Sequence, residues 1–117
     1  MIVQTLKLPA PDSGFNLLHA IALGYQMMGR KSAIILPTQQ EAEFYGKALS
    51  NRNITLLWAS QLKETIEEVR KQLSDLDCVL VHDIKNNRTE NGELWDLLIH
   101  AFHAETTLTT LIGSDTE

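Results

Sequence analysis

Two places in this chain carry residue types that chemistry could use. The first is the stretch "LPAPDSGFN", residues 8–16, where a short apolar run gives way to a Pro-, Asp-, Ser- and Gly-rich turn before a helical pattern begins. A phosphate-binding loop sits at such a junction and needs glycines for close backbone approach, a lysine for the β/γ charge and a hydroxyl for magnesium. Here Gly14 is kept, Phe15 stands at the lysine position and Asn16 at the hydroxyl position. Pro9 removes an amide donor, and Asp12 puts a negative charge where phosphate would lie. The second place is Asp83, closing the apolar run "CVLVHD", where an aspartate could hold magnesium or its water. No glutamate follows it as a base. Gly14, Asn16 and Asp83 are the positions an atypical nucleotide site would use, with a lysine brought from elsewhere, such as Lys85 or a second subunit. The plainer reading is a strand-to-helix turn capped by Asp12 or Ser13, and an aspartate ending a strand.

The other reactive side chains are scattered. His100 and His103 follow Asp96 on one helical side, but spacing supplies no further metal ligand, so no metal site is expected. His19 and His82 read as structural. Cys78 has no histidine or basic residue beside it in sequence, which leaves it without support as a nucleophile. What remains is surface: Phe15, Tyr25, Met27, Phe44 and Tyr45 are candidates for binding a protein, because aromatic and methionine side chains dominate interface hot spots. Core packing is the competing explanation for the same stripe. Phe44 and Tyr45 are adjacent, so both cannot face one core.

Composition narrows the partners. The chain has 117 residues, 44% of them hydrophobic, enough for one domain with its own core. A formal charge of −5 disfavours nucleic acid as a partner. The basic pairs Arg30-Lys31 and Arg70-Lys71 are not interleaved with aromatics as a single-strand platform requires. One cysteine excludes a disulfide framework, and the first ten residues lack the pattern of a secretory signal. No apolar run reaches the length of a membrane span. These features predict a cytoplasmic protein that needs no cofactor.

The elements that must position these residues alternate along the chain. Strands are predicted over 2–8, 32–37, 54–59, 77–83 and 106–112, with "GSDTE" fraying after the last. Helices are predicted over 14–28, from Thr38 to about residue 50, over 61–74 and over 92–103. Thr38-Gln-Gln-Glu41 has the spacing of a capping box. Ser60 is placed to cap the third helix, whose stripe is Leu62, Ile66, Val69 and Leu73. Five strands separated by four helices predict a three-layer α/β sandwich with a mostly parallel sheet. In such folds ligands gather at the carboxyl ends of the strands.

The order of elements resembles the RecA-like P-loop proteins. "DSGFNLLHAIALGYQMMGRKSAIILP" is similar to their loop, first helix and second strand, and "ITLLWASQLKETIEEVRKQLSDLDCVLVHD" to the segment leading into the Walker B strand. Within that superfamily the layout is most similar to the SulA family of bacterial cell-division inhibitors, through "LKLPAPDSGFNLLHAI", "AIILPTQQEAEFYGKAL" and the same Walker-B-like segment. That resemblance implies a domain without nucleotide-binding residues that binds the division GTPase FtsZ during the SOS response. The flagellar and signal-recognition GTPases share the element order but need the missing lysine. The chi accessory subunit of the bacterial replicase shares the rhythm of "GRKSAIILPTQQEAEFYGKAL" without a helix equivalent to 61–74. The expected function is therefore a non-catalytic protein-binding module, with a homodimer as a further expectation. The alternatives are a nucleotide-binding P-loop enzyme and a replication or repair accessory factor.

Overall fold

The computed structural model describes residues 2–9, 11–47, 54–62, 65–89, 92–102 and 110–116. Strand β1 (Ile2–Leu8) leads into helix α1 (Pro11–Met27), followed by β2 (Ser32–Leu36), α2 (Gln39–Gly46) and β3 (Ile54–Trp58). Helix α3 (Ile66–Gln72) leads to β4 (Cys78–Val81), a small hairpin of β5 (Arg88–Thr89) and β6 (Gly92–Glu93), α4 (Leu94–Ala101) and β7 (Thr110–Thr116). The main sheet has five parallel strands in the order β1-β7-β4-β2-β3, and four helices cover it.

The central strands explain their own sequences. Every residue of β2 and β4 is buried, as their unbroken apolar runs require of strands covered on both faces. Alternate residues serve opposite layers. Ile34, Leu36, Cys78, Leu80 and Ile112 pack with Phe15, Leu18 and Ala22 of α1 and Ala42 of α2. Ala33, Ile35, Val79, Val81 and Leu111 pack with Val69 of α3 and Leu94, Leu98 and Ala101 of α4. So α1 and α2 share one face and α3 and α4 the other. The strands β2 and β4 are neighbours whose chains continue to opposite faces, which opens a crevice between their carboxyl ends.

Four local expectations change. The first helix starts at Pro11, and Pro11 through Gly14 form its first turn. Proline suits that first position because its missing N–H has no partner in a helix anyway. The third helix is half the expected length. Residues 59–61 make a 3-10 turn instead, closed by Gln61 Oε1 accepting from the Trp58 N–H at 3.2 Å, and Thr65 rather than Ser60 caps α3. The loop after β4 contains its own 3-10 turn and the β5–β6 hairpin. Finally, "GSDT" does not fray: it extends β7 to Thr116, paired with β1 along its whole length. Leu49 and His103 lie outside the described residues, as do the side chains of Asp12 and Ser13.

Candidate functional site

The crevice at the carboxyl ends of β2 and β4 is an open cleft of about 460 Å³, within the range of ligand sites. It is lined by Thr38, Gln40, Glu41, Phe44, Tyr45, His82 and Asp83. Each arrives there for a local reason. Thr38 leaves β2 extended and caps α2, its Oγ1 accepting from the Glu41 N–H at 3.2 Å. The cap fixes Glu41 in the first turn of α2, at the end of β2, and the next turn delivers Phe44 and Tyr45 to the same side.

From the other strand, His82 stays in register, its backbone N–H donating to the Ile35 carbonyl at 2.9 Å. Asp83 then turns the chain with φ of 60°, the one described non-glycine residue in the left-handed region. Aspartate tolerates that conformation better than most residues because its short side chain can bond locally. Here Asn86 Nδ2 donates to Asp83 Oδ2 at 2.8 Å. The Asp83 N–H points toward Ser114 Oγ at 3.4 Å, and the same hydroxyl lies 3.3 Å from His82 Nδ1. Asn87 is fully buried beneath the turn, and its Nδ2 donates to the carbonyls of His82 and, at 3.4 Å, Ile35. It thereby ties the ends of β4 and β2 together.

One wall of the cleft is aromatic. Phe15 stacks on Tyr45 with ring centroids 3.9 Å apart and an interplanar angle of 17°, and both rings meet His82 edge-on at 6.0 and 5.8 Å. Phe44 stands against Tyr45 at 5.1 Å and 78°, and its side is open to solvent. Beside the rings the lining carries two carboxylates, Glu41 and Asp83. Burial first, and the charge of Asp83 second, push the Glu41 carboxyl above its usual value of 4.5. Among the described residues no lysine or arginine lines the cleft, and its one basic side chain is the buried His82. Among the described residues neither Glu41 nor Asp83 has an ion-pair partner, and Asp83 Oδ1 is buried without a hydrogen bond.

The structure sorts the residues singled out from the sequence. Gly14 is a packing glycine: a Cβ there would meet Ser114 Oγ at 3.0 Å and His82 Cε1 at 3.5 Å, so its small size lets α1 press onto β7 and β4. Asn16 is exposed on α1. Asp83 ends a strand that β7 separates from β1. Lys85 is turned to the end of β7, with Nζ donating to the Thr116 carbonyl at 2.9 Å and 3.6 Å from Asp115 Oδ1. Residues 11–14 form the first turn of α1 rather than a phosphate-binding loop.

Among the protein-binding candidates, Phe15 is only 3% exposed and cannot itself touch a partner. The half-buried Tyr25 turns its hydroxyl inward to Thr110 Oγ1. Tyr45 is half-buried, whereas Phe44 is 66% and Met27 89% exposed. Met27 ends α1, which runs back from the carboxyl ends of the strands, so it lies at the far end of the molecule from Phe44. His100 bonds through Nδ1 to the Asp96 carbonyl, and no three potential metal ligands gather among the described residues. Among them, too, no helix is long and apolar enough to cross a membrane.

No family model matches this chain, and none of the curated proteins matches it either. Sequence reasoning missed Glu41, Ser114 and Asn87 as parts of this site. The capping box placed Glu41 at a strand end, which was the available signal. Nothing local marks Asn87, whose role depends on β2 and β4 being neighbours.

Proposed function

We propose that this chain is a non-catalytic binding module, a RecA-like α/β domain similar in layout to the SulA family, which docks another protein at the cleft between β2 and β4. The observation that carries this reading is Phe44, a two-thirds exposed ring at the rim of a cleft whose lining holds no lysine or arginine. An exposed aromatic backed by packed rings has the form of an interface anchor. A nucleotide would bring several negative charges against Glu41 and Asp83, with no lysine or arginine in the described lining to offset them. The charge of −5 weighs equally against nucleic acid.

The setting we propose is the bacterial cytoplasm, in cell-division or DNA-damage control, with FtsZ as the partner the resemblance implies. The test is FtsZ assembly followed by light scattering in the presence of the wild type, Phe44→Ala and Met27→Ala. The wild type and Met27→Ala should suppress assembly, and Phe44→Ala should not. Assembly untouched by the wild type would remove FtsZ as partner. Suppression by Phe44→Ala equal to the wild type would remove the cleft as the docking site.

A further inference from the structure

We propose that the cleft receives an arginine side chain of the partner protein, its guanidinium lying against Phe44 and Tyr45 and facing the carboxylates of Glu41 and Asp83. This rests on the binding-module reading and gives it a ligand chemistry. Charge complementarity is the first support. The lining holds two carboxylates, Glu41 and Asp83, and no lysine or arginine. The basic residues that follow in the chain are engaged elsewhere, Lys85 with Thr116 and Asp115 and Arg88 with Glu93 at 3.8 Å. The cleft therefore carries negative charge that the described residues do not neutralise.

Asp83 sharpens the point. It accepts one neutral hydrogen bond, from Asn86, while its other oxygen is buried without a partner. A carboxylate taken out of water is costly unless a counter-charge faces it. A cation entering beside Glu41 would supply that charge to both acids.

The aromatic wall is the second support, independent of the acids. Phe44 and Tyr45 form a corner of two rings at 78°, and Tyr45 is held from behind by its stack on Phe15. Such faces attract cations, arginine most often. Arginine suits the cleft better than lysine, because a planar fork can stack on a ring while its edge addresses carboxylates. The exposed outer part of Phe44 favours an arginine carried on a polypeptide. A free guanidine in the cleft would leave that ring in water, whereas a flanking chain would cover it.

The experiment is a ¹H–¹⁵N correlation titration of the full chain with three probes: a short blocked arginine peptide, the same peptide with citrulline, and magnesium-ATP. Citrulline keeps the shape and removes the charge. The arginine peptide should move the amides of residues 38–45 and 82–84 and the citrulline peptide should not. Glu41→Gln should weaken the arginine peptide about tenfold or more, as loss of a charge-assisted hydrogen bond does. Phe44→Ala should also weaken it. Equal shifts with both peptides would overturn the arginine inference and leave the binding module standing. No shift at these residues with either peptide would overturn the inference too. If magnesium-ATP moved the same amides while the peptides did not, the inference and the module reading would both fall.

Discussion

The two ends of the sheet hold acidic groups in opposite circumstances. At the amino end, the turns entering β2 and β4 clasp each other. The Asp77 N–H donates to the Lys31 carbonyl at 2.9 Å, and the Lys31 N–H donates to Asp77 Oδ2 at 3.1 Å. Asp77 also faces Arg30, and Asp75 faces Lys31, each at 3.9 Å. A groove beside this clasp is lined by Lys31 and Asp75 together, so its charges cancel. At the carboxyl end, Glu41 and Asp83 face a cleft whose described lining holds no lysine or arginine, beside an exposed ring. Both ends are concave, yet only one leaves charge and aromatic surface unspent. The docking proposal rests on that difference more than on concavity.

The largest expected effects break the carboxyl end by breaking its scaffold. A Cβ on Gly113 would come within 2.4 Å of Ile84 Cδ1 and 2.7 Å of the Trp95 ring. Gly113→Ala should therefore displace the turn that carries Asp83 and cost about 1–3 kcal/mol in urea unfolding, the range for overpacking. Gly24, in the interior of α1, has open space around its Cβ position. Gly24→Ala should stabilise by about 0.5–1 kcal/mol in the same assay, because alanine is the better helix former. If the two variants behaved alike, the tight packing assigned to β7 would be wrong.

Asn87→Ala comes next. It removes the donor shared by the ends of β4 and β2 and should cost about 1–3 kcal/mol, the penalty for leaving buried partners unpaired. Its counterpart at the amino end, Asp77→Ala, removes the partly exposed ion pair to Arg30 and the hydrogen bond from the Lys31 N–H. It should cost about 1 kcal/mol or less. Chemical denaturation of both variants gives the ranking directly.

Two groups at opposite ends of the sheet, Cys78 and Glu41, have shifted titrations. Cys78, at the amino end of β4, has its thiol pushed up from 9.0 to about 12, chiefly by burial, with a hydrogen bond from Tyr25 acting the other way. The folded state therefore keeps a proton that the unfolded chain releases above 9, and stability should fall as pH rises from there toward 12. Comparing wild type with Cys78→Ala isolates that slope, and the native thiol should react with a thiol reagent only upon unfolding.

The smallest effect belongs to Glu41. Its raised carboxyl means that the folded state binds the proton more readily than the unfolded chain does. Its contribution to stability should rise as pH falls from neutral toward its ordinary value of 4.5, and Glu41→Gln should flatten that part of the profile. Urea unfolding across that range checks the sign.

Much of the scaffold could be read in advance, because its signals are local. The unbroken apolar runs marked β2 and β4, and Thr38 marked the start of α2. The failures came where partners distant in sequence decide. "GSDT" looks like a fraying tail, but β7 lies between β1 and β4 and takes ladder bonds from both; Gly113 admits Ile84 and Trp95, and Ser114 is buried beside His82. The stripe over 61–74 is shortened because Thr65 and Gln61 divert the backbone to side-chain bonds. In the site, Phe44, Tyr45 and Asp83 were legible as residues of interest. Their convergence with Glu41 was not, since it depends on β4 inserting beside β2 and on the helices leaving to opposite faces. Gly14 was noticed for phosphate approach and serves instead for helix-to-sheet approach, two uses of the same missing Cβ.

The most direct test of the central claim, a carboxyl-end cleft that binds protein and not phosphate, is the melting temperature with and without magnesium-ATP or magnesium-GTP. It should be measured for the wild type and for Asp83→Asn, which tolerates the left-handed turn. A ligand that binds only the folded state raises its apparent stability. The account predicts curves that superimpose for both proteins with either nucleotide. A rise of several degrees in the wild type that vanishes in Asp83→Asn would contradict it and restore a nucleotide site at this cleft.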